Sequence, residues 1–188
     1  MKVLAKMVLT LGLIAALSGF LLAYANQKTY LRIKENQEKE ISQAIFKLLP
    51  EGKNYETKIV SGYKVYFVKD NSSKFRGACV LTAGSGYQGE IKILIGLSYD
   101  FKHLIGIEIL ENVETPGLGG EISKKSFYGQ FKGLIFPPRI KCVKGRKNEL
   151  NNEIQAITGA TISSSSVARI VNRTLTELAS LAKENAKK

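Results

Sequence analysis

The stretch from Gly77 to Leu110, GACVLTAGSGYQGEIKILIGLSYDFKHLIGIEIL, contains three β-like runs: Gly77 to Thr82, Ile91 to Leu97 and Leu104 to Leu110. Together the runs are rich in Val, Ile and Leu, and Gly-containing segments separate them. A fourth run, Tyr63 to Val68, precedes them and is rich in Val and Tyr. Consecutive strands with short connections favour antiparallel pairing. Downstream, Ile122 to Phe131 reads as a short helix and Arg139 to Val143 as a further strand. From Ser164 onward the apolar residues Val167, Ile170, Val171, Leu175, Leu178 and Leu181 recur at helical spacing, with one buried face. The fold class is therefore α+β, a mostly antiparallel sheet flanked by helices. The alternation of a dinucleotide-binding fold is absent, as are GxGxxG and GxxxxGK[ST] motifs.

Upstream of the sheet, Met7 to Ala25 reads MVLTLGLIAALSGFLLAYA without a charge. As a helix these roughly 19 residues span about 28 Å, close to a hydrocarbon core. A cleaved signal peptide is the competing reading, but the stretch is longer than a usual signal core. Helical spacing also continues through Tyr30, Ile33, Ile41, Ile45 and Leu49, until Pro50 and Gly52 stop it. The expected organisation is a tail and transmembrane anchor over 1–25, a juxtamembrane helix over 26–50 and one domain over 51–188. Positive residues flank the anchor on both sides, so charge discriminates weakly between orientations. The short tail favours the tail inside and the domain outside.

A net charge of +12 over 188 residues admits nucleic acid, an anionic membrane surface or acidic partners. An anchored domain disfavours nucleic acid. The basic run Arg139 to Lys147 faces lipid, a partner or plain solvent. Cys79 and Cys142 form neither a CxxC pair nor a metal-ligand spacing, so they read as two thiols, with a disulfide open. His103, alone of its kind, reads as a surface or strand-edge residue, and no metal site is expected. The sequons at Asn71 and Asn172 match by chance.

Two segments carry chemistry. In Thr158-Gly159-Ala160-Thr161-Ile162-Ser163-Ser164, small residues permit close backbone approach and hydroxyls offer donors and acceptors, just ahead of a long helix. A helix N-terminus favours an anion, which suggests a phosphate site; a plain helix cap uses the same residues. In Glu114-Thr115-Pro116-Gly117-Leu118-Gly119, after a strand, Pro116 fixes one φ and the glycines permit a tight turn beside a planar ligand. An ordinary strand-to-helix loop has the same composition. Tyr87 reads either as a stacking residue or as a sheet aromatic, and Lys132 as a ligand-edge cation or a solvated lysine.

Together, ETPGLG at Glu114 to Gly119 and TGATISS at Thr158 to Ser164 resemble the G subunits of the Rnf electron-transport complex. Gly86 to Ile91, Lys125 to Phe127 and Gln130 to Gly133 fit the same pattern. Those subunits lie within the wider FMN-binding domain family, which includes the C subunit of the sodium-translocating NADH:quinone oxidoreductase. The resemblance covers nearly the whole chain. It implies an FMN-binding domain behind a single transmembrane helix, with FMN joined covalently through its phosphate to Thr161 by a flavin transferase that uses FAD. It further implies cofactor contacts from Glu114, Thr115, Gly117, Leu118, Gly119, Thr158, Gly159, Ala160, Ser163 and Ser164. The family often carries an acidic residue six places before the acceptor threonine; this chain has Gln155 there.

The implied role is electron relay between ferredoxin and NAD+ in an ion-translocating complex of a bacterial cytoplasmic membrane, with the FMN domain on the outer face. Expected partners are the other subunits, the transferase and membrane lipid. A flavoprotein like the quinone reductase's C subunit and a non-redox anchored binding module are the alternatives. No nicotinamide fingerprint and no cysteine set for an iron–sulfur cluster is present, so electrons must pass to other subunits.

Overall fold

The computed structural model describes residues 2–148 and 151–185. The chain divides into two compact units, Met1–Glu40 and Ile41–Lys188. One helix, α1 (Lys2–Leu48), belongs to both. Its apolar part is exposed throughout, and among the described residues it is the one helix long and apolar enough to cross a membrane. Helical spacing through Leu49 anticipated this continuity, and the helix stops one residue earlier.

The second unit is built on five strands: β1 (Asn54–Val60), β2 (Tyr63–Lys69), β3 (Phe75–Ser85), β4 (Glu90–Ser98) and β5 (Leu104–Asn112). They form an antiparallel meander in sequence order, with Ile95 opposite both Val80 and Ile107 at its centre. Both faces of this sheet are covered, which is why the inner strands read as near-continuous apolar runs rather than strict alternation. On one face Val80, Ile93 and Ile95 pack with Val167, Ile170 and Val171 of α3 (Thr161–Asn185) and with Phe127 and Phe131. On the other, Tyr66, Val68, Cys79 and Leu94 pack with Ala44 and Ile45 from the last turns of α1, and with Leu49.

Several details depart from the sequence reading. Strand β1 escaped notice because its residues are mostly exposed and polar, as befits a sheet edge. The Ile122 to Phe131 segment is not one helix. It is a single α-turn, α2 (Lys125–Tyr128), between two 3-10 turns, Gly119–Ser123 and Gly129–Phe131. The strand expected at Arg139 to Val143 shortens to β6 (Lys141–Val143), which pairs in parallel with β7 (Glu153–Gln155) outside the main sheet. Both cysteines are free thiols. Cys79 lies in the cluster on the α1 side, while Cys142 packs against the cluster on the α3 side, so the sheet stands between them.

Candidate functional site

At one end of the sheet, β5 runs out at Asn112 and the chain turns sharply. Asn112 Oδ1 accepts the amide of Glu114 at 3.1 Å, while its Nδ2 donates to Ser123 Oγ at 2.8 Å. Thr115, Pro116, Gly117 and Leu118 then form a tight turn closed by Leu118 N–H on the Thr115 carbonyl at 3.1 Å. Proline second and a glycine third at φ +77° is the signature of a type II turn. Gly117 thus serves the turn, and open space surrounds the point where its Cβ would stand.

The Glu114 side chain points inward and is only 5% exposed. Its Oε1 accepts the backbone amides of Tyr87 at 2.7 Å and Gln88 at 3.0 Å. Its Oε2 accepts the hydroxyl of Ser163 at 2.6 Å. One carboxylate thereby ties together the β3–β4 turn, the Glu114–Gly120 loop and the first turn of α3. Burial pushes its pKa up, but the hydrogen bonds from Ser163, Gln88, Tyr87 and Gly89 together outweigh burial and hold it below the ordinary carboxylate value. Two glycines make room for it. A Cβ on Gly86 would stand 2.3 Å from Oε1, and one on Gly119 would stand 2.5 Å from Oε2 and 2.6 Å from Ser163 Oγ.

The start of α3 is equally determined. Gly159 turns the chain at φ +81°, and Ala160 N–H closes on the Ile157 carbonyl at 3.0 Å. Ser164, fully buried, accepts the Ile157 amide at 3.0 Å and donates to the Ala160 carbonyl at 2.9 Å. The first helical bond runs from Ser164 N–H to the Ala160 carbonyl, so the amides of Thr161, Ile162 and Ser163 precede it and lack an intrahelical acceptor. Those amides and the helix dipole favour an anion.

Between these segments lies a cleft of about 430 Å³, within the roughly 300–1,000 Å³ usual for small-molecule sites. Of the residues expected from sequence, Glu114, Thr115, Leu118, Gly119, Gly159, Ala160, Thr161 and Ser163 line it. Gly117, Thr158 and Ser164 do not. Their contributions are the turn, the approach to the helix and the cap. Tyr87 and Ile162 also line the cleft, and with Leu118 they give it an exposed apolar rim, at 66%, 59% and 48% exposure. Ile162 was missed because it falls outside the buried stripe that starts at Val167. Its signal was an isoleucine off the buried face, next to Thr161. Lys132 lies in a different cleft, beside Lys47 and Tyr128.

The hydroxyls sort themselves. Ser163 donates to Glu114, Ser164 caps the helix, and Ser166 accepts Arg169 Nη2 at 2.7 Å. Thr161, half-buried at the first position of α3, lines the cleft with no hydrogen-bond partner for Oγ1 among the described residues. A free hydroxyl, three free amides and a flat apolar rim suit a group with a phosphate at one end and a planar ring at the other.

The comparisons agree with that chemistry. The FMN-binding domain family matches residues 86–176, which span the whole cleft. The G subunit of the ion-translocating oxidoreductase complex of Methanosarcina acetivorans is 31% identical over 88% of this chain and 89% of its own length. The G subunit of the Na(+)-translocating ferredoxin:NAD(+) oxidoreductase complex of Acetobacterium woodii is 33% identical, over 97% and 95%. Among solved structures, NqrC of Shewanella oneidensis aligns with a TM-score of 0.55 at 25% identity, over 65% of this chain and 63% of that one. The C subunit of the Na(+)-translocating NADH-quinone reductase from Parabacteroides distasonis shares the fold, with a TM-score of 0.63 at 21% identity over 80% and 94%. With a relative 33% identical along nearly its entire length, this chain belongs to the family of G subunits of Rnf-type ion-translocating oxidoreductase complexes.

Proposed function

We propose that the chain is the flavin relay of an ion-translocating ferredoxin:NAD+ oxidoreductase complex, with FMN esterified through its phosphate to Thr161. The observation that carries the attachment is the sorting of hydroxyls: in the TISSSS run, Thr161 alone combines a place in the cleft with an uncommitted Oγ1. In the attachment step, Thr161 Oγ1 attacks the flavin-side phosphorus of FAD. The pyrophosphate bond breaks, AMP leaves, and the threonine proton passes to a base of the transferase. The amides at the start of α3 stabilise the phosphoryl charge, and Tyr87, Leu118 and Ile162 offer the ring an apolar seat. Bound FMN supplies reversible one- and two-electron transfer. A tether keeps this carrier in place in every redox state.

The other subunits of the complex, a flavin transferase and membrane lipid are its partners in this reading. The anchor holds the domain on the outer face of a bacterial cytoplasmic membrane. Full-length protein from its own membrane is the material for the test. After denaturation the wild type keeps flavin fluorescence and an added mass of one FMN less one water, and Thr161→Ala loses both. Retention of the label in Thr161→Ala, with its loss in Ser163→Ala, moves the attachment site. Membranes carrying Thr161→Ala assemble the complex but lose ferredoxin-dependent NAD+ reduction. Rapid NADH oxidation by the isolated chain would overturn the relay role.

A further inference from the structure

A second concavity, of about 470 Å³, runs along α3 beside β6. Arg139, from the segment ahead of β6, lines it together with Arg169 and Arg173, one turn apart on α3. Glu177 is the single carboxylate in the lining, and its Oε2 already accepts the Tyr63 hydroxyl. The ion pairs among the described residues involve other side chains, so none of the three arginines is neutralised by one. Like charges gathered this way repel, and the fold keeps them together without a counter-charge for each.

Two of the three are also held in place. Arg169 Nη2 donates to the Ser85 carbonyl at 3.0 Å and to Ser166 Oγ at 2.7 Å. Arg173 Nη2 donates to the Ala83 carbonyl at 2.7 Å. A guanidinium has five N–H donors, so each is anchored through one terminal nitrogen and keeps its remaining donors for another acceptor. The third is tied through its neighbour. Ile140 N–H donates to Asn172 Oδ1 at 2.9 Å, and Asn172 Nδ2 donates back to the Ile140 carbonyl at 2.8 Å. Side chains fixed before binding lose little rotamer freedom on binding.

The geometry points to an anion site in this cleft, taking a phosphate-bearing ligand. Guanidinium forks match the oxygens of a phosphate, and arginine rather than lysine is the residue suited to such bidentate contact. The volume exceeds what one inorganic phosphate needs, so the ligand carries more than the phosphate alone. A soluble phosphate ester and the headgroup of a phosphomonoester lipid share this chemistry. The site is separate from the Thr161 cleft and does not depend on the flavin reading.

The test uses the full chain in neutral detergent at about 0.15 M salt, where diffuse surface attraction is screened. Calorimetric titrations use inorganic pyrophosphate in one arm and dihexanoyl phosphatidic acid in the other, with dihexanoyl phosphatidylcholine as the blank. Arg139→Glu reverses a cleft charge without breaking an anchoring bond. Lys58→Glu makes the same charge change on β1, outside the cleft lining. Saturable binding that Arg139→Glu weakens by about tenfold or more, and Lys58→Glu by no more than about twofold, supports the site. Binding of the lipid probe alone, with the same dependence on Arg139, supports it and identifies the source as a headgroup. Equal weakening by both variants, or no saturable binding of either probe, overturns it.

Discussion

Removing the Glu114 carboxylate tests whether one buried group holds the cleft together. In Glu114→Ala, the part-buried amides of Tyr87 and Gln88 and the buried hydroxyl of Ser163 lose their acceptor. An unsatisfied buried group costs roughly 1–3 kcal/mol. The Ser163 hydroxyl carries that cost in full while the two part-buried amides can turn to water, so the total is about 2–4 kcal/mol, a large part of the roughly 5–15 kcal/mol that stabilises a domain. Glu114→Gln is milder. Its carbonyl oxygen can take both amides and its NH2 can donate to Ser163 Oγ, so the loss is the charge assistance, about 1–2 kcal/mol. The assay is urea unfolding of the full chain in detergent, followed by tyrosine fluorescence. The pH dependence adds a sign. The folded pKa of Glu114 is lowered, so its stabilisation is present above the unfolded value near 4.3 and is lost as pH falls through the folded value. The gap between wild type and Glu114→Gln should therefore be full at pH 7 and close as acid is added. Equal stability of the Ala and Gln variants, or a gap unchanged down to pH 3, would refute the clamp.

Gly119→Ala should destabilise the domain by about 2 kcal/mol or more and shift the flavin spectrum, because its Cβ would press on both Glu114 and Ser163; normal stability and spectrum would count against it. Gly117→Ala meets no atom, so it should cost only the φ penalty, about 1–2 kcal/mol by urea unfolding, with the flavin spectrum unchanged. Native protein treated with a thiol alkylator should be modified at Cys142 well before Cys79, which is buried with its pKa pushed up to about 12; mass spectrometry of the peptides reads the order. Protease added to intact spheroplasts should digest the domain, and protection until lysis would reverse the proposed topology.

Strands β2 to β5 and α3 were legible because apolar periodicity is a local signal and their burial is extensive. Strand β1 was not, since an exposed edge strand carries little apolar pattern. The parallel pairing of β6 with β7 joins segments separated by a loop, a long-range fact that short windows do not contain. The two motifs showed where the cleft lies, but they ranked its residues by composition. Glycines in Gly117 to Gly120 suggested room for a ligand, and those in Gly86 to Gly89 belonged to the family pattern. The structure gives two of them a different role, since Gly86 and Gly119 leave room for the protein's own Glu114 carboxylate. The glutamate, expected among the cofactor contacts, lines the cleft with both oxygens hydrogen-bonded to the fold. What reaches the cleft free is a hydroxyl, three amides and an apolar rim. The charge of Glu114 therefore works indirectly, by fixing three segments whose neutral groups face the cleft. A motif shared with a family marks residues that matter at a site, and only their hydrogen bonds divide those that touch a ligand from those that shape its seat.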